Sequence, residues 1–463
     1  MKNYLAGLLL AVSTMAAHAG CQFPASASSA FDPDVGAVRL PWRTDLPNSP
    51  QPAAAPWQEV NFKTDWRAYM AAFLAEIRAT GVRVETRRLT MNAAAEWWIA
   101  PWMDYSLNGR ERYNGLTAER GPDPGHLSPT SGRGIQTWAV GWYNRPGSFA
   151  IGQIFKDPCN PQVPANFAFP AHSASFKFLF TTADPAQVAY LEGAPEIDAY
   201  INPASDPQGR RNGVAGRVPS VMRLLQVDIA VKDPNATETG WVMGTFVWKR
   251  PADVAGFNGD WLLDNLVPVG LMWGNDPEAM DTTWNGNADI TQSRLNPDLR
   301  GVVWSFSAAQ WPQRPYAGFQ GRLNGPADNP RSSCLACHAA AQWRRDQPLV
   351  DSFRLDDTLA EPRIRAHVAK FFMNVPGGTR HPGSNVGSEL DYSLQLEASF
   401  DRMCRACVDQ KLQGRTPDIC KVEKVREIDP FVARDTCEAG MVTNFFRMFV
   451  QPEGMSAPSF PRQ

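Results

Sequence analysis

Residues 224–248 read LLQVDIAVKDPNATETGWVMGTFVW. In LLQVDIAVK, Leu225, Val227, Ile229 and Val231 alternate with Gln226, Asp228 and Lys232, the two-residue period of a strand with one apolar and one polar face. KDPNATETG supplies turn chemistry, and GWVMGTFVW follows as a second strand. Upstream, SFKFLF places Phe176, Phe178 and Phe180 on one face. Ile135 to Tyr143 alternates around Trp138, Val140 and Trp142, NRPG reads as a turn, and Ser148 to Phe155 runs back as in a hairpin. Together these five segments predict an antiparallel sheet with one wet face.

Before the sheet, Thr64 is placed to cap a helix whose Trp66, Tyr69, Met70, Phe73, Leu74 and Ile77 recur at helical spacing, and Gly81 stands where it should stop. Residues 25–57, with LPNSPQPAAAP near their end, read as an irregular lead-in. Residues 268–330 look loop-like, and their Asn and Asp groups fit turns better than a calcium loop. Helical periodicity then returns in LAEPRIRAHVAKFFMNV, LDYSLQLEASFDRMCRACVDQKL and DTCEAGMVTNFFRMFV. The expected fold class is α+β: a β-rich N-terminal part with an antiparallel sheet, then an α-helical region. The expected divisions are a signal peptide over 1–19, the lead-in over 20–60, the α+β domain over 61–320 and the helical region over 321–463. No internal repeat is visible.

The chain has 463 residues, with 45 Lys and Arg against 47 Asp and Glu, a balance that argues against nucleic acid as a partner. Its opening, MKNYLAGLLLAVSTMAAHAGC, has the lysine, apolar stretch and small-residue site of a secretory signal, with cleavage expected after Ala19. A lipid anchor on Cys21 is the disfavoured alternative, because His18 stands where such sites carry an aliphatic residue. Nothing later reaches the roughly 18 to 20 apolar residues of a membrane span. The expected location is periplasmic, where spare thiols pair. Cys21 with Cys159 would then close the count of eight cysteines.

The chemistry is concentrated in NPRSSCLACHAAAQW, residues 329–343, where a C-x-x-C pair is followed directly by His338. From this chain's own cysteine and histidine frequencies, chance would supply on the order of 0.002 such matches. The spacing lets each thiol add to one vinyl group of a haem while the adjacent imidazole is brought under the iron. Zinc would need further ligands, with His367 and His381 as candidates, and a redox dithiol would need a thioredoxin-like setting that is not visible. The segment resembles the haem site of c-type cytochromes. That resemblance implies haem c bound covalently to Cys334 and Cys337, with His338 as axial ligand of the iron, in a helical cytochrome c-like region.

A second C-x-x-C, in MCRACVDQ at residues 403–410, has Val408 in place of the histidine. Cys404, Cys407, Cys420 and Cys437 therefore read as structural disulfides joining a C-terminal helix pair. Nested pairing suits antiparallel helices, though four cysteines allow three connectivities. For the sixth iron position Met373 is preferred to His367, with Met403 and His381 weaker and an open site the alternative. His126 and His172 read as core or surface residues, and Trp343 is close enough in sequence to line a haem pocket. No P-loop, dinucleotide fingerprint or hydrolase motif occurs. The leading expectation is a mono-haem electron carrier serving a redox partner protein. The alternatives are a haem c oxidoreductase with an open distal site, loosely analogous to large β-sheet cytochromes that oxidise hydroxylamine, and a haem-containing binding or sensory protein.

Overall fold

The strand predicted at residues 224–232 is the second half of a 15-residue strand near the middle of a nine-stranded sheet. This computed structural model describes residues 42–43, 45–51, 54–100, 110–122, 124–156, 161–206, 216–249, 262–279, 290–299, 318–330, 332–343, 362–383 and 388–400. In chain order the strands are β1 (Arg83–Glu85), β2 (Arg88–Thr90), β3 (Trp97–Ile99), β4 (Thr117–Ala118), β5 (Thr137–Asn144), β6 (Ala174–Thr181), β7 (Glu196–Ile201), β8 (Val218–Lys232), β9 (Trp241–Trp248), β10 (Leu266–Met272), β11 (Ser293–Leu295), β12 (Gln342–Trp343) and β13 (Ser388–Glu389). The helices are α1 (Trp66–Ala79), α2 (Arg145–Ile154), α3 (Cys334–His338) and α4 (Pro362–Phe371), and residues 394–400 are also helical.

The sheet runs β11-β10-β9-β8-β6-β5-β3, with β4 on β5 and β7 on β8, and every pairing is antiparallel. Arg223 pairs with Thr181 on one side and Glu196 on the other, so β7 continues the column that β9 begins. One face carries Phe176, Phe178, Phe180, Val227, Ile229 and Val231 and is covered by Tyr69, Met70, Phe73 and Ile77 of α1. Asp65, one residue after the expected cap, accepts from Ala68 N at 3.0 Å, and Gly81 takes φ +68 past the helix end.

The other face is covered too, against the expected wet face. Leu179, Leu225, Met243 and Val247 pack with Ile151 and Ile154 of α2 and with Leu335, Ala339, Leu390, Tyr392 and Leu396 from the chain's later part. Gln226, expected in water, is 0% exposed. A bulge where β8 meets Leu179 and Phe180 also moves Leu225 out of the Val227 row: Leu224 joins the first core and Leu225 the second.

Three further expectations are corrected. Ser148 to Phe155 is not a return strand but belongs largely to α2, because Asn144 caps it from Gly147 N at 3.2 Å and Pro146 starts it. The stretch after 268 is not all loop: β10 runs through Pro268 by a register shift between Pro268 and Gly270, and β11 pairs with it. The helical cytochrome c-like region is overturned by a structure that is mostly β-sheet. Beyond residue 320 the described chain holds the short helices α3 and α4, the run 394–400 and the β12–β13 ribbon, and Leu335, Ala339, Leu390 and Leu396 of this part pack on the sheet. No disulfide occurs among the described residues, so the expected disulfide-linked helix pair has no support. Cys21, Cys159, Met403, Cys404, Cys407, Cys420 and Cys437 lie outside the described residues. Within the described residues, no helix is long and apolar enough to cross a membrane.

Gly270 offers a test of this packing. A Cβ there would stand 2.3 Å from the Arg294 carbonyl oxygen and 2.9 Å from Leu323 Cδ1, whereas one at Gly132 would meet nothing within 4 Å. Gly270→Ala should lose about 1 to 3 kcal/mol in urea unfolding followed by tryptophan fluorescence, with Gly132→Ala near wild type.

Candidate functional site

Ser333 sets the start of the motif helix. Its Oγ accepts from Ala336 N at 3.1 Å, capping α3, and donates to Asn275 Oδ1 at 2.7 Å. Asn275 Nδ2 in turn donates to the Met373 carbonyl at 3.0 Å, so the segment carrying Met373 is tied to the helix cap through one side chain. Cys334 N donates to Leu323 O at 3.1 Å, and fully buried Leu335 and Ala336 seat the helix on β9. Cys334, half-buried, and Cys337, buried, are both thiols on this short helix.

His338 ends the helix with its Nδ1 2.8 Å from the Tyr392 carbonyl oxygen. A carbonyl only accepts, so Nδ1 carries the hydrogen and the lone pair of the neutral ring lies on Nε2, which has no hydrogen-bond partner among the described residues. Burial pushes His338 down to about 4, against the opposing Tyr392 hydrogen bond, and keeps the ring neutral at pH 7.

The carbonyl that orients His338 is held by an unusual turn. Asp391 and Tyr392 take φ +46 and +69, left-handed values that side-chain-bearing residues adopt only when surrounding contacts impose them. Those contacts are present. The Asp391 carboxylate, 0% exposed, accepts from Phe169 N at 2.7 Å, from Trp241 Nε1 and Gly378 N at 2.9 Å each, and from Lys232 Nζ at 2.8 Å. The Tyr392 hydroxyl donates to the Val375 carbonyl. Beside this turn, burial and the Asp391 charge push Glu389 up to about 8, and its Oε2 is buried without a hydrogen-bond partner.

A second polar group lies on the sheet near Cys334. Asp228 accepts from Thr245 Oγ1 at 2.9 Å, from Gln226 Nε2 at 3.0 Å and from Lys177 Nζ at 3.3 Å. Asp328 accepts from Gly325 N at 2.9 Å and from the same Gln226 Nε2 at 3.4 Å. Glu119 lies 4.0 Å from Lys177. Burial alone would lower Lys177, yet the charges of Glu119, Asp228 and Asp328 outweigh it and hold the ammonium above its ordinary range. Burial, then the charges of Asp328 and Asp228, drive the Cys334 thiol well above its ordinary value.

Of the residues chosen from sequence, Cys334, Cys337 and His338 come together on α3, and Met373 is half-buried against the same core. His367 lies on α4, with its side chain outside the described residues. His381, a weaker axial choice, is 1% exposed and accepts from Gly383 N at 3.0 Å. His126 is a buried core residue that desolvation pushes down to about 3. Trp343 stacks on Phe400 at 4.4 Å and packs against the core that holds the motif. The residues that sequence reasoning missed are Tyr392, Asp391, Lys177, Asp228 and Asp328. A signal for Asp228 was the polar alternation of β8 itself, and the others carry none.

The arrangement fits a covalent haem: a thiol pair on a short helix, then an imidazole whose Nε2 lone pair is available. Among the described residues, no group of three or more His, Cys, Asp or Glu is placed to share a metal as zinc would need. No family model, curated protein or solved structure matches this chain.

The Glu389 carboxyl has a consequence for stability. It keeps its proton up to about 8 when folded and titrates near 4.5 when released, so the native state binds the extra proton between those values. Stability therefore falls as pH rises through that window. Above about pH 6.5, where ordinary histidines have titrated, the urea midpoint should drop with rising pH, and Glu389→Gln should flatten that slope. An unchanged slope in the variant would reject the assignment.

Proposed function

We propose that this chain is an exported mono-haem c-type cytochrome that transfers electrons, with Cys334 and Cys337 as thioether anchors and His338 as axial ligand of the iron. The observation that carries the reading is the His338 ring, whose Nδ1 is engaged by the Tyr392 carbonyl at 2.8 Å directly after a helical C-x-x-C. When bound, the haem supplies one-electron chemistry at its iron. The chain's residues do the rest. Tyr392, braced by Asp391, fixes the imidazole orientation and makes Nε2 a better donor. Leu335, Ala339, Leu390 and Leu396 exclude water around the motif, which tunes the potential. The proposal includes a periplasmic location, a redox partner protein and Met373 as second axial ligand.

The pairing of Lys177 with Asp228 near Cys334 favours a second reading, an oxidoreductase acting on a small molecule at an open sixth position. An enzyme of that kind needs proton donors and acceptors at the iron, whereas a plain carrier does not.

Acid-acetone extraction followed by a pyridine haemochrome assay tests the attachment. We expect one haem that stays with the protein, and strongly reduced attachment in Cys334→Ala and Cys337→Ala made with a full maturation system. Haem that leaves with the solvent rejects the proposal. Met373→Ala should convert a six-coordinate low-spin spectrum to high-spin. A wild-type protein that is already high-spin and binds carbon monoxide rapidly would decide for the oxidoreductase.

A further inference from the structure

We infer that the Asp228–Asp328 pair is a redox-linked protonation site, which takes up a proton from solvent when the haem iron gains an electron. The inference rests on the haem reading above and adds proton transfer to it. The two carboxyl groups come from distant parts of the chain, β8 and the turn 325–328, and share one donor, Gln226 Nε2, at 3.0 and 3.4 Å. That turn is pinned to the sheet by Ala327 N donating to Gln226 Oε1 at 3.2 Å. A Cβ at Gly325 would come within 2.5 Å of both Asp328 Oδ2 and Gln226 Nε2, so the close approach depends on glycine.

Charge at this place is unbalanced. Among the described residues, Asp228, Asp328 and Glu119 confront the Lys177 ammonium, with the Arg120 guanidinium at the Ala327 carbonyl, and carboxylates sharing a partly covered site with fewer cations do not all ionise readily. The hydrogen bonds decide which one keeps a proton. Asp228 has Thr245, Gln226 and Lys177 as donors, whereas both donors to Asp328 meet Oδ2, leaving Oδ1 without a hydrogen bond among the described residues. Asp328 as a residue is only partly covered. In agreement, burial and the Asp228 charge push Asp328 up to about 6, a value from which a modest change in field moves the proton at neutral pH.

The iron would supply that field. Asn324, in the segment leading into the same turn, has its Oδ1 3.6 Å from Cys334 Sγ, and both aspartates act electrostatically on that sulfur. As a thioether the sulfur carries no charge, and one positive charge fewer at the iron raises the cost of nearby carboxylates. The other groups facing the pair are Lys177 from β6, Thr245 from β9, Glu119 and Arg120 after β4, and Cys334 and His338 from α3, with Arg120 Nη1 donating to Ala327 O at 3.5 Å. With haem held by Cys334, Cys337 and His338, the Asp328 carboxylate would bind one solvent proton as a one-electron reductant supplied one electron to the haem, and no other bond would form or break.

The test is the midpoint potential of the haem-loaded protein, titrated with redox mediators from about pH 5 to 9 after covalent haem has been confirmed. The wild-type potential should fall with pH above about 6, approaching ~59 mV per pH unit over its steepest part. Asp328→Asn should lose this dependence and sit at a higher potential. The reduced-minus-oxidised infrared spectrum of the wild type is the second measurement, independent of the variant's maturation, and a protonated-carboxyl band should appear on reduction. A flat wild-type potential, an unchanged slope in Asp328→Asn or no carboxyl band overturns the coupling and leaves the cytochrome reading standing. Absence of covalent haem overturns both.

Discussion

One strand imposes the constraint on which the rest of the molecule depends. The polar residues Gln226, Asp228 and Lys232 of β8 point into a covered layer, and buried polar groups without partners are costly. Each therefore specifies what must lie over it. Gln226 binds the turn at Asp328, Asp228 takes Lys177 and Thr245, and Lys232 takes Asp391. The turn before the C-x-x-C-H segment and the turn that orients its histidine are thus docked on one strand, at its middle and at its C-terminal end, with α3 between them in sequence.

Strain and packing meet at the second of these places. Consecutive left-handed residues at Asp391 and Tyr392 cost of order 1 to 3 kcal/mol each, and the buried Asp391 network offsets that cost. Removing one partner of such a buried pair typically destabilises by about 3 to 5 kcal/mol, which makes Lys232 and Asp391 mutually dependent. The outcome is a backbone carbonyl aimed at His338 Nδ1, and an imidazole orientation set by tertiary contacts rather than by the motif. At the middle of β8, the surplus of carboxylates over Lys177 gives the site its response to charge. The end of the strand holds a ring still and its middle holds a proton loosely.

Much of the first layer was legible. The Phe176, Phe178 and Phe180 row, the Val227, Ile229 and Val231 row and the α1 stripe each declare their periodicity locally, and each lies in the core where its pattern puts it. Misreadings fell where one residue type serves two structures. Asn144 with Pro146 suits a turn and a helix start equally, and Pro268 with Gly270 argues against a strand except at a register shift. Helical spacing beyond residue 361 was real over short runs, but spacing does not say what a helix packs on. Leu396 and Phe400 of the run 394–400 pack in the core that covers the sheet.

The amino-acid sequence by itself determined β5, β6, β8 and β9, the first helix and the spacing of Cys334, Cys337 and His338, because periodicity and motif spacing act within a few residues. Tertiary structure alone decided that the polar face of β8 is buried, that Tyr392 orients His338, and that Lys177, Asp228 and Asp328 gather near Cys334. Those contacts join residues tens to over a hundred positions apart, and a polar side chain in a strand reads the same whether water or a buried carboxylate satisfies it.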